Sequence, residues 1–258
     1  MTIPTSPSLP LPEHDTELPA PELLAVGTGI SVFLDFDGTL VEIAEHPENV
    51  VVAPELPGAL TALARKLEGR LAIVSGRSLA TLDRLLGPLP VAMAGSHGGE
   101  FRPAGASSPE ALAAPLPDPV RDALADYAGE NGGLIFEAKP FSAAVHYRTR
   151  PEVGEALFAF AKRLAAENGM HVKHGKMVVE LTMPGSDKGN AVARFMERSP
   201  FAGTRPLFAG DDVTDEDAFT AVRRFGGGGI LVGPTRPTQA LWRLDDVAAV
   251  HHWLEDAA

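Results

Sequence analysis

A series of short, nearly continuous apolar runs constrains the fold of this 258-residue chain more than any other feature. The runs lie at residues 30–36, 71–75, 91–95, 205–210 and 228–232. Runs of this length are typical of strands that are buried on both faces of a parallel sheet. Between them, leucines recur at helical spacing, as in Leu56, Leu60 and Leu63. The alternation of strands and helices predicts an α/β fold with a doubly wound parallel sheet.

The middle of the chain departs from this alternation. Two hairpin patterns, at residues 134–148 and 170–181, each follow a helical stretch, and the second has its predicted turn at His174 and Gly175. Helix, hairpin, helix, hairpin is the order of an α+β unit. We therefore expect a smaller α+β domain inserted into the core at residues 103–182.

Outside the inserted domain, the chain consists of a proline-rich start and two core segments. Residues 1–21 are rich in proline and polar residues, a composition that sustains neither a helix nor a central strand, and we interpret them as a flexible lead-in. The catalytic core is then expected to comprise residues 22–102 and 183–258.

Composition excludes several classes of function. The chain has no cysteine, so disulfides, thiolate catalysis and cysteine-ligated metals are excluded. Its 22 Lys and Arg against 34 Asp and Glu give a net charge of −12, which disfavours nucleic acid and anionic membranes as partners. No run approaches the ~18 apolar residues of a membrane span, and the start lacks a basic and then apolar pattern, so we expect a cytoplasmic protein.

Two carboxylates, Asp35 and Asp37, stand where the first apolar run ends, and Gly38 follows them. In open α/β sheets, ligands bind outside the carboxyl ends of the strands. Two close carboxylates repel each other unless a cation lies between them or one is protonated. The pair therefore indicates a site for a cation or for proton transfer, and the alternative is a surface pair that caps the next segment.

A second polar cluster, Ser75, Gly76 and Arg77, follows the next strand. Its hydroxyl and the backbone amides at the following helix N-terminus are suited to holding an anion. The alternative is that Ser75 or Ser78 only caps that helix.

Two further clusters lie near the other end of the chain. Lys188 opens a helix, and Asp211 and Asp212 follow the strand at 205–210. Thr214 and Asp217 have the spacing of a capping box for the next helix, which leaves Asp211 and Asp212 without a capping explanation. The four clusters in this order are far more specific than any one of them.

This order of motifs resembles the haloacid dehalogenase (HAD) superfamily of aspartate-nucleophile phosphatases. The superfamily's four motifs match DFDGTL, the strand end at Ser75, Lys188 and GDDVTD. Within it, residues 94–100, 145–148, 175–180 and 210–219 are similar to trehalose-6-phosphate phosphatases. The resemblance implies a HAD-like core with an inserted α+β cap of the C2B type.

The same resemblance implies a reaction, the hydrolysis of trehalose 6-phosphate to trehalose and inorganic phosphate through an aspartyl phosphate. Asp35 would be the nucleophile, Asp37 the general acid and base, and Lys188 a group that stabilises the phosphoryl oxygens. The cofactor implied is Mg²⁺, which prefers oxygen ligands. Its ligand set would be Asp35, Asp37 through its backbone carbonyl, Asp211, and Asp215 through water or neighbouring groups.

The resemblance also implies a substrate-binding set for a small sugar phosphate. The set is Ser75, Gly76, Arg77, His97, Gly98, Glu100, Arg148, Lys176 and Glu180. His146 is a further candidate, since alternation along the first hairpin places it on one face with Arg148. On spacing alone, these hairpin residues also fit a solvent-exposed sheet face. We expect the protein to be a monomer.

Two alternatives to trehalose 6-phosphate hydrolysis stay open on the sequence. One is a related HAD phosphatase that acts on another sugar phosphate, such as sucrose phosphate or mannosylglycerate phosphate. The other is a non-catalytic sensor of a phosphorylated ligand on the same fold. The presence of all the catalytic residue types argues against the sensor, and a turnover assay distinguishes the two.

Overall fold

The computed structural model describes residues 18–22, 29–44, 47–175 and 177–257. The chain divides into two units. Unit 1 comprises the described residues up to Glu110 together with those from Asp187 onward, and unit 2 comprises Ala111–Ser186. In the part of the chain that the structure describes, no helix has the length and apolar character needed to cross a membrane.

The secondary structure follows the order expected from the apolar runs. The strands are β1 (Ile30–Leu34), β2 (Leu71–Val74), β3 (Ala92–Gly95), β4 (Glu100–Arg102), β5 (Glu110–Ala111), β6 (Ile135–Ala138), β7 (Ser142–His146), β8 (His171–Gly175), β9 (Val178–Thr182), β10 (Arg205–Gly210), β11 (Gly228–Val232) and β12 (Trp242–Leu244). The helices are α1 (Leu56–Lys66), α2 (Leu79–Leu86), α3 (Asp118–Glu130), α4 (Gly154–Asn168), α5 (Lys188–Met196), α6 (Glu216–Arg224) and α7 (Val247–Ala257).

The main sheet has the strand order β12-β11-β10-β1-β2-β3-β4-β5. Pairing is parallel from β12 through β3, and β4 is antiparallel to β3. β1 is central, with β10 on one side and β2 on the other. The predicted α/β fold with a parallel sheet is confirmed, with an antiparallel edge that the apolar runs alone did not indicate.

Helices cover both faces of this sheet. Val32, Phe33 and Leu34 of β1 are completely buried, although successive side chains of a strand point to opposite sides. Val32 and Leu34 share a core with leucines of α1 and α2 and with Val250 of α7. On the other face, the Phe33 ring lies 5.7 Å from that of Phe195 on α5. A sheet buried on both sides explains why its strands are continuously apolar.

Unit 2 contains a four-stranded antiparallel sheet with the order β6-β7-β9-β8. Leu124 of α3 and Leu157 of α4 pack with Val145, Val179 and Leu181 in one buried cluster. The other face of the sheet carries the alternate residues of each strand, which are mainly polar. This arrangement gives unit 2 a core of its own and one polar sheet face.

His174 and Gly175 belong to β8, so the prediction that the second hairpin turns at these two residues was wrong. His174 pairs with Val179, and Gly175 pairs with Val178, inside the ladder. The other edge of β9 also pairs with β7 along its whole length, so both neighbours fix the position of the strand. Pairing to a second strand is a tertiary constraint that the local turn pattern does not contain.

The structural division differs from the expected boundaries of 103 and 182 by a few residues at each end. Residues 103–110 belong to unit 1, and residues 183–186 belong to unit 2. The Arg198 guanidinium holds Glu110 through two hydrogen bonds of 3.0 and 2.9 Å, which fastens this stretch to unit 1.

Most of the expected lead-in, residues 1–17, lies outside the described residues. The stretch that follows is held against unit 1. Leu18 is buried, and the Pro19 carbonyl accepts a 3.0 Å hydrogen bond from the Arg243 backbone amide. The indole of Trp253 on α7 donates to the Glu22 carbonyl at 3.1 Å.

We expect Phe195→Ala to lower the free energy of unfolding by about 3–5 kcal/mol, because it leaves a cavity in a buried aromatic cluster. The Phe195 ring lies 4.4 Å from that of Phe101 and 5.1 Å from that of Phe201. Urea unfolding followed by circular dichroism measures the loss. The matched control is Phe225→Ala, at an aromatic residue that is 39% exposed, for which we expect a loss of about 1 kcal/mol or less. Equal losses for the two variants would contradict the assignment of Phe195 to the core.

Candidate functional site

The polar residues at three strand ends lie along one edge of the main sheet. Asp35 follows β1, Ser75 follows β2 and Asp211 follows β10. The amide of Asp35 still donates to the Ala209 carbonyl at 2.9 Å, so sheet pairing extends to this residue. Because β10, β1 and β2 are parallel neighbours, their carboxyl ends meet at the same edge.

Lys188 lies between two carboxylates at this edge. Its Nζ is 2.8 Å from Oδ1 of Asp35 and 2.6 Å from Oδ1 of Asp215. The three side chains are 3%, 6% and 0% exposed, respectively. Burial alone would lower the pKa of Lys188, but the charges of Asp215 and Asp35 raise it above its ordinary value, so the lysine stays an ammonium.

Helix α5 brings this lysine to the sheet edge from its first residue. Asp187 is the N-cap, and its carboxylate accepts a 2.7 Å hydrogen bond from the amide of Asn190. The next residue, Gly189, lets α5 pack closely on α6, since a Cβ there would lie only 2.6 Å from the Asp217 carbonyl oxygen.

Three carboxylates converge around this ammonium. Asp35, Asp211 and Asp215 each place an oxygen within 4.8 Å of the others. Burial raises the pKa of Asp35 well above its ordinary value, with Lys188 opposing the shift and Asp215 and Asp211 adding to it. Burial and the neighbouring Asp215 also raise the pKa of Asp211 to about 7. With all three carboxylates ionised, the cluster would carry more negative charge than Lys188 neutralises, which favours a bound proton or a cation at this point.

Asp211 is left without a hydrogen-bond partner for one of its oxygens. Its Oδ1 is buried and unpartnered within the described residues. Gly38 makes room for this carboxylate, because a Cβ at Gly38 would lie 2.3 Å from Asp211 Oδ2. Gly38 also has a φ of +78°, the left-handed region that glycine adopts most readily.

The capping box of the following segment is formed by Asp212 and Asp215, so its prediction at Thr214 and Asp217 was wrong. The Asp212 carboxylate accepts from the amide of Val213, and the Asp212 amide donates to Oδ2 of Asp215 at 2.9 Å. A short 3₁₀ turn, Val213–Asp215, precedes α6 and shifts the cap toward the strand. Asp212 thus has a capping role, and Asp215 has both oxygens engaged.

The Asp37 carboxylate pairs with an arginine and is not part of the three-carboxylate cluster. Arg77 donates to it from Nε at 2.6 Å and from a terminal nitrogen at 2.7 Å. The guanidinium also lies over the Phe36 ring, 5.7 Å from its centroid. Arg77, predicted to bind substrate, therefore has a partner among the predicted catalytic residues.

The strand end at Ser75 is ordered by a loop from β3 and by Glu100. The Ser75 hydroxyl accepts from the amide of Arg77 at 3.1 Å, while Ser78 is the cap of α2. Oε2 of Glu100 accepts from Ser96 Oγ at 2.7 Å and from the Leu79 amide at 3.0 Å. Glu100 thereby fastens the loop to the start of α2, a contact that its sequence position did not indicate.

His97 and Gly98 lie in a left-handed stretch of this loop. Ser96, His97 and Gly98 have φ values of 50°, 55° and 99°. A Cβ on Gly98 would lie 2.5 Å from the Asp187 carbonyl oxygen, and one on Gly76 would lie 2.6 Å from His97 Cε1. The two glycines therefore allow the loop to lie close to the cap of α5 and to the strand end after β2.

On the polar face of unit 2, Glu180 is the most enclosed acidic residue of the predicted set. Its Oε1 accepts from Ser142 Oγ at 2.7 Å and from Lys139 Nζ at 3.2 Å, and its side chain is 13% exposed. Neither Lys139 nor Ser142 was among the predicted site residues. Strand alternation places Ser142 and His146 on one face, but only the register of β7 on β9 brings Ser142 to Glu180.

The other candidates of unit 2 have different surroundings. His146 Nε2 lies 3.1 Å from Oε2 of Glu137, and this hydrogen bond holds the pKa of Glu137 below its ordinary value. Arg148 is exposed and lies beyond the end of β7, so strand alternation does not relate it to His146. Lys176 lies outside the described residues.

Comparisons with known proteins agree with this geometry. The profile of the family described as trehalose-phosphatase matches residues 33–248. A trehalose-6-phosphate phosphatase of Escherichia coli (strain K12) is 41% identical over 229 residues, which are 86% of this chain and 84% of that protein.

Two solved structures bear on the fold. The C-terminal domain of a C. albicans trehalose-6-phosphate phosphatase superposes with a TM-score of 0.77 at 23% identity, over 93% of this chain and 97% of that one. A haloacid dehalogenase-like hydrolase from Bacteroides thetaiotaomicron gives 0.64 at 16% identity, over 88% and 98%. The HAD-like fold predicted from the motifs is thus confirmed. With its family profile matched over most of its length, the chain belongs to the trehalose-phosphatase family.

Proposed function

We propose that this protein hydrolyses trehalose 6-phosphate to trehalose and inorganic phosphate through a phosphoryl group carried by Asp35. One observation supports this above the others. The Asp35 carboxylate is buried at the carboxyl end of the central strand and bound by the Lys188 ammonium. A carboxylate that is held in place and enclosed is suited to be a nucleophile. The family comparisons favour trehalose 6-phosphate over the other sugar phosphates considered.

The reaction divides into two displacements at phosphorus. An oxygen of Asp35 attacks the phosphorus atom, the bond to the sugar oxygen breaks, and the sugar oxygen takes up a proton. Water then attacks the aspartyl phosphate and releases phosphate and the free carboxylate. Lys188 orients Asp35 and lies where its charge stabilises the phosphoryl oxygens in both steps.

Asp37 supplies and removes the proton in this proposal, with Arg77 as its positioning partner. Both carboxylate oxygens of Asp37 accept hydrogen bonds from the guanidinium. Each of these oxygens keeps a further lone pair, so Asp37 can carry the proton that it donates to the sugar oxygen and later accept one from water while it stays bound to Arg77. The pairing fixes the direction of the carboxylate between the two steps.

The residues present fit a divalent cation with oxygen ligands. Within the described residues, Asp211 Oδ1 has no hydrogen-bond partner, and it lies in a cluster of three carboxylates around the Lys188 ammonium. Asp35, Asp211 and the Asp37 backbone carbonyl form an all-oxygen donor set, which suits Mg²⁺. Both oxygens of Asp215 already accept hydrogen bonds, from Lys188 and from the Asp212 amide, so Asp215 contributes by positioning its neighbours. When bound, Mg²⁺ would offset the repulsion between the carboxylates and the phosphoryl group.

The polar sheet face of unit 2 is proposed to recognise the sugar. Glu180 is anchored by Ser142 and Lys139 and still partly exposed, so it retains capacity to accept hydrogen bonds from sugar hydroxyls. Anchored groups discriminate between substrates well, because they lose little conformational freedom on binding.

Asp35→Asn is expected to lower kcat by at least about a hundredfold, because an amide is a poor nucleophile. Stability should be retained, because the substitution removes a charge from a crowded cluster of carboxylates. Phosphate release and urea unfolding measure the two effects. The control is Asp245→Asn, at a carboxylate that is 80% exposed, which should keep full activity. Residual activity of Asp35→Asn above about a hundredth, in protein free of wild-type enzyme, would exclude Asp35 as the nucleophile.

Chelation is expected to abolish turnover, and added Mg²⁺ should restore it, because the carboxylates otherwise repel the phosphate. Zn²⁺ should restore little, since it prefers tetrahedral sites with nitrogen or sulfur ligands. Phosphate release is followed after exhaustive dialysis against EDTA and then after titration with each metal. Full activity in EDTA would exclude a metal-dependent reaction.

Glu180→Ala is expected to lower kcat/KM for trehalose 6-phosphate by at least about tenfold. The substitution removes an acceptor for the sugar hydroxyls, and a site built to bind hydroxyls recognises its substrate less well without that acceptor. For an aryl phosphate, which has no sugar, kcat/KM should fall by less than about twofold. The ratio of the two substrates cancels any loss of folded enzyme. Glu167→Ala, at an exposed glutamate of α4, is the control and should leave both values unchanged. Equal losses on the two substrates would assign Glu180 a structural role.

A further inference from the structure

An arginine outside every motif ties two loops of unit 1 together at the sheet edge. Arg236, in the loop after β11, donates to the Asp212 carbonyl at 2.7 Å and reaches the Asp211 carbonyl at 3.4 Å. It also donates to the Pro237 carbonyl of its own loop at 3.1 Å and pairs with Glu216. One guanidinium therefore bridges the segment that carries Asp211 and a segment more than twenty residues further along the chain.

Glu216, the first residue of α6, holds the other side of this bridge. Besides Arg236, its carboxylate accepts from Thr238 Oγ1 at 2.8 Å and from the Gln239 amide at 2.7 Å. The Arg236 and Glu216 side chains are only 21% and 22% exposed. A partly buried charged pair with several further hydrogen bonds is a more definite structural element than an exposed ion pair.

The bridge acts on the main chain of the Asp211 segment. The Asp212 amide is held by Asp215, and the carbonyls of Asp211 and Asp212 are held by Arg236. The backbone is thus fixed from both sides, while Asp211 Oδ1 is buried and has no partner among the residues that the structure describes. The position of the Asp211 carboxylate consequently depends on how firmly its backbone is held.

Mutual repulsion acts against this position. Asp35, Asp211 and Asp215 lie close together with a single lysine among them, so a loosely held loop would relax by moving Asp211 away. A cation binds most tightly to ligands that are already in place, because binding does not then have to bring them together against their repulsion.

We propose that Arg236 is a positioning residue that holds Asp211 in place for cation binding, with Glu216 fixing the guanidinium. This inference rests on the proposed function, in which Asp211 is a metal ligand. The planar guanidinium reaches several acceptors at once, whereas a lysine ammonium keeps the charge but lacks the fork. Comparing Met and Lys at this position therefore separates positioning from simple charge.

The experiment measures Mn²⁺ binding directly, by the electron paramagnetic resonance signal of free Mn²⁺, in the full chain without substrate. Mn²⁺ is a suitable probe because it takes the same oxygen ligands as Mg²⁺. Arg236→Met should raise the Kd by about 10- to 100-fold, as is usual when a group that orients a metal ligand is lost. Arg236→Lys should bind nearly as weakly as Arg236→Met. At saturating Mg²⁺, kcat should stay within about twofold of wild type, since Arg236 touches no reacting atom.

Arg243→Met is the matched control. Arg243 also donates to a loop carbonyl, that of Gly233, at 2.6 Å, and pairs with an exposed aspartate, but it does not contact the Asp211 segment. The Kd of the Arg243→Met variant for Mn²⁺ should equal that of wild type. Glu216→Gln should raise the Kd by less than Arg236→Met does, and the double variant should bind no more weakly than Arg236→Met alone.

The outcomes distinguish failure of this inference from failure of the proposed function. If the wild type binds Mn²⁺, Asp211→Asn weakens binding, and Arg236→Met leaves the Kd unchanged, the positioning role is wrong while the metal site stands. A Kd that Arg236→Lys restores to the wild-type value would assign the effect to charge and would also overturn positioning. If the wild type does not bind Mn²⁺, the metal site fails and this inference fails with it. Thermal unfolding of each variant identifies any that do not fold. If Arg236→Met does not fold, the Kd values of Arg236→Lys and Glu216→Gln are compared with wild type instead.

Discussion

The buried ammonium of Lys188 is the interaction on which the arrangement at the sheet edge depends. Burying a charge costs several kcal/mol unless it is paired, and here one cation pairs with Asp35 and Asp215 at 2.8 and 2.6 Å. Each partner comes from a different element: the central strand, the start of α5 and the turn before α6. Removing Lys188 would leave two carboxylates facing each other in the interior without a counter-charge, so strand and helices are constrained to meet at this point.

The same interaction bears on an electrostatic requirement. A chain with a net charge of −12 that acts on a phosphate has to provide positive charge locally. Lys188 and Arg77 do so at the sheet edge, but both are paired to carboxylates, and the cluster around Asp211 adds further negative charge. Asp35 and Asp211 lie close to other carboxylates and are shielded from solvent. This crowding and burial raise their pKa values, and the same conditions favour the binding of a cation.

Local patterns in the sequence were sufficient for the architecture and for the candidate residues of the core. Continuous apolar runs predicted a parallel sheet, because only strands covered on both faces can be apolar throughout. Placing polar clusters at strand ends then brought Asp35, Ser75 and Asp211 to one edge, since parallel strands end on the same side. The hairpins of unit 2 were also predicted from local sequence patterns. These features depend on residues close together in sequence.

The contacts that give the residues their specific surroundings depend on distant parts of the chain. The pairing of Asp37 with Arg77 and the anchoring of Glu180 by Ser142 and Lys139 join residues 38 to 41 apart in the chain and have no local signature. The register of β9 was likewise fixed by its pairing to both β7 and β8. By itself, the sequence determined the fold class, the family resemblance and which polar residues stand at strand ends, because these follow from periodicity and short motifs. Only the tertiary structure decided which of those groups pair with one another, because burial and long-range register bring together residues that no local pattern relates.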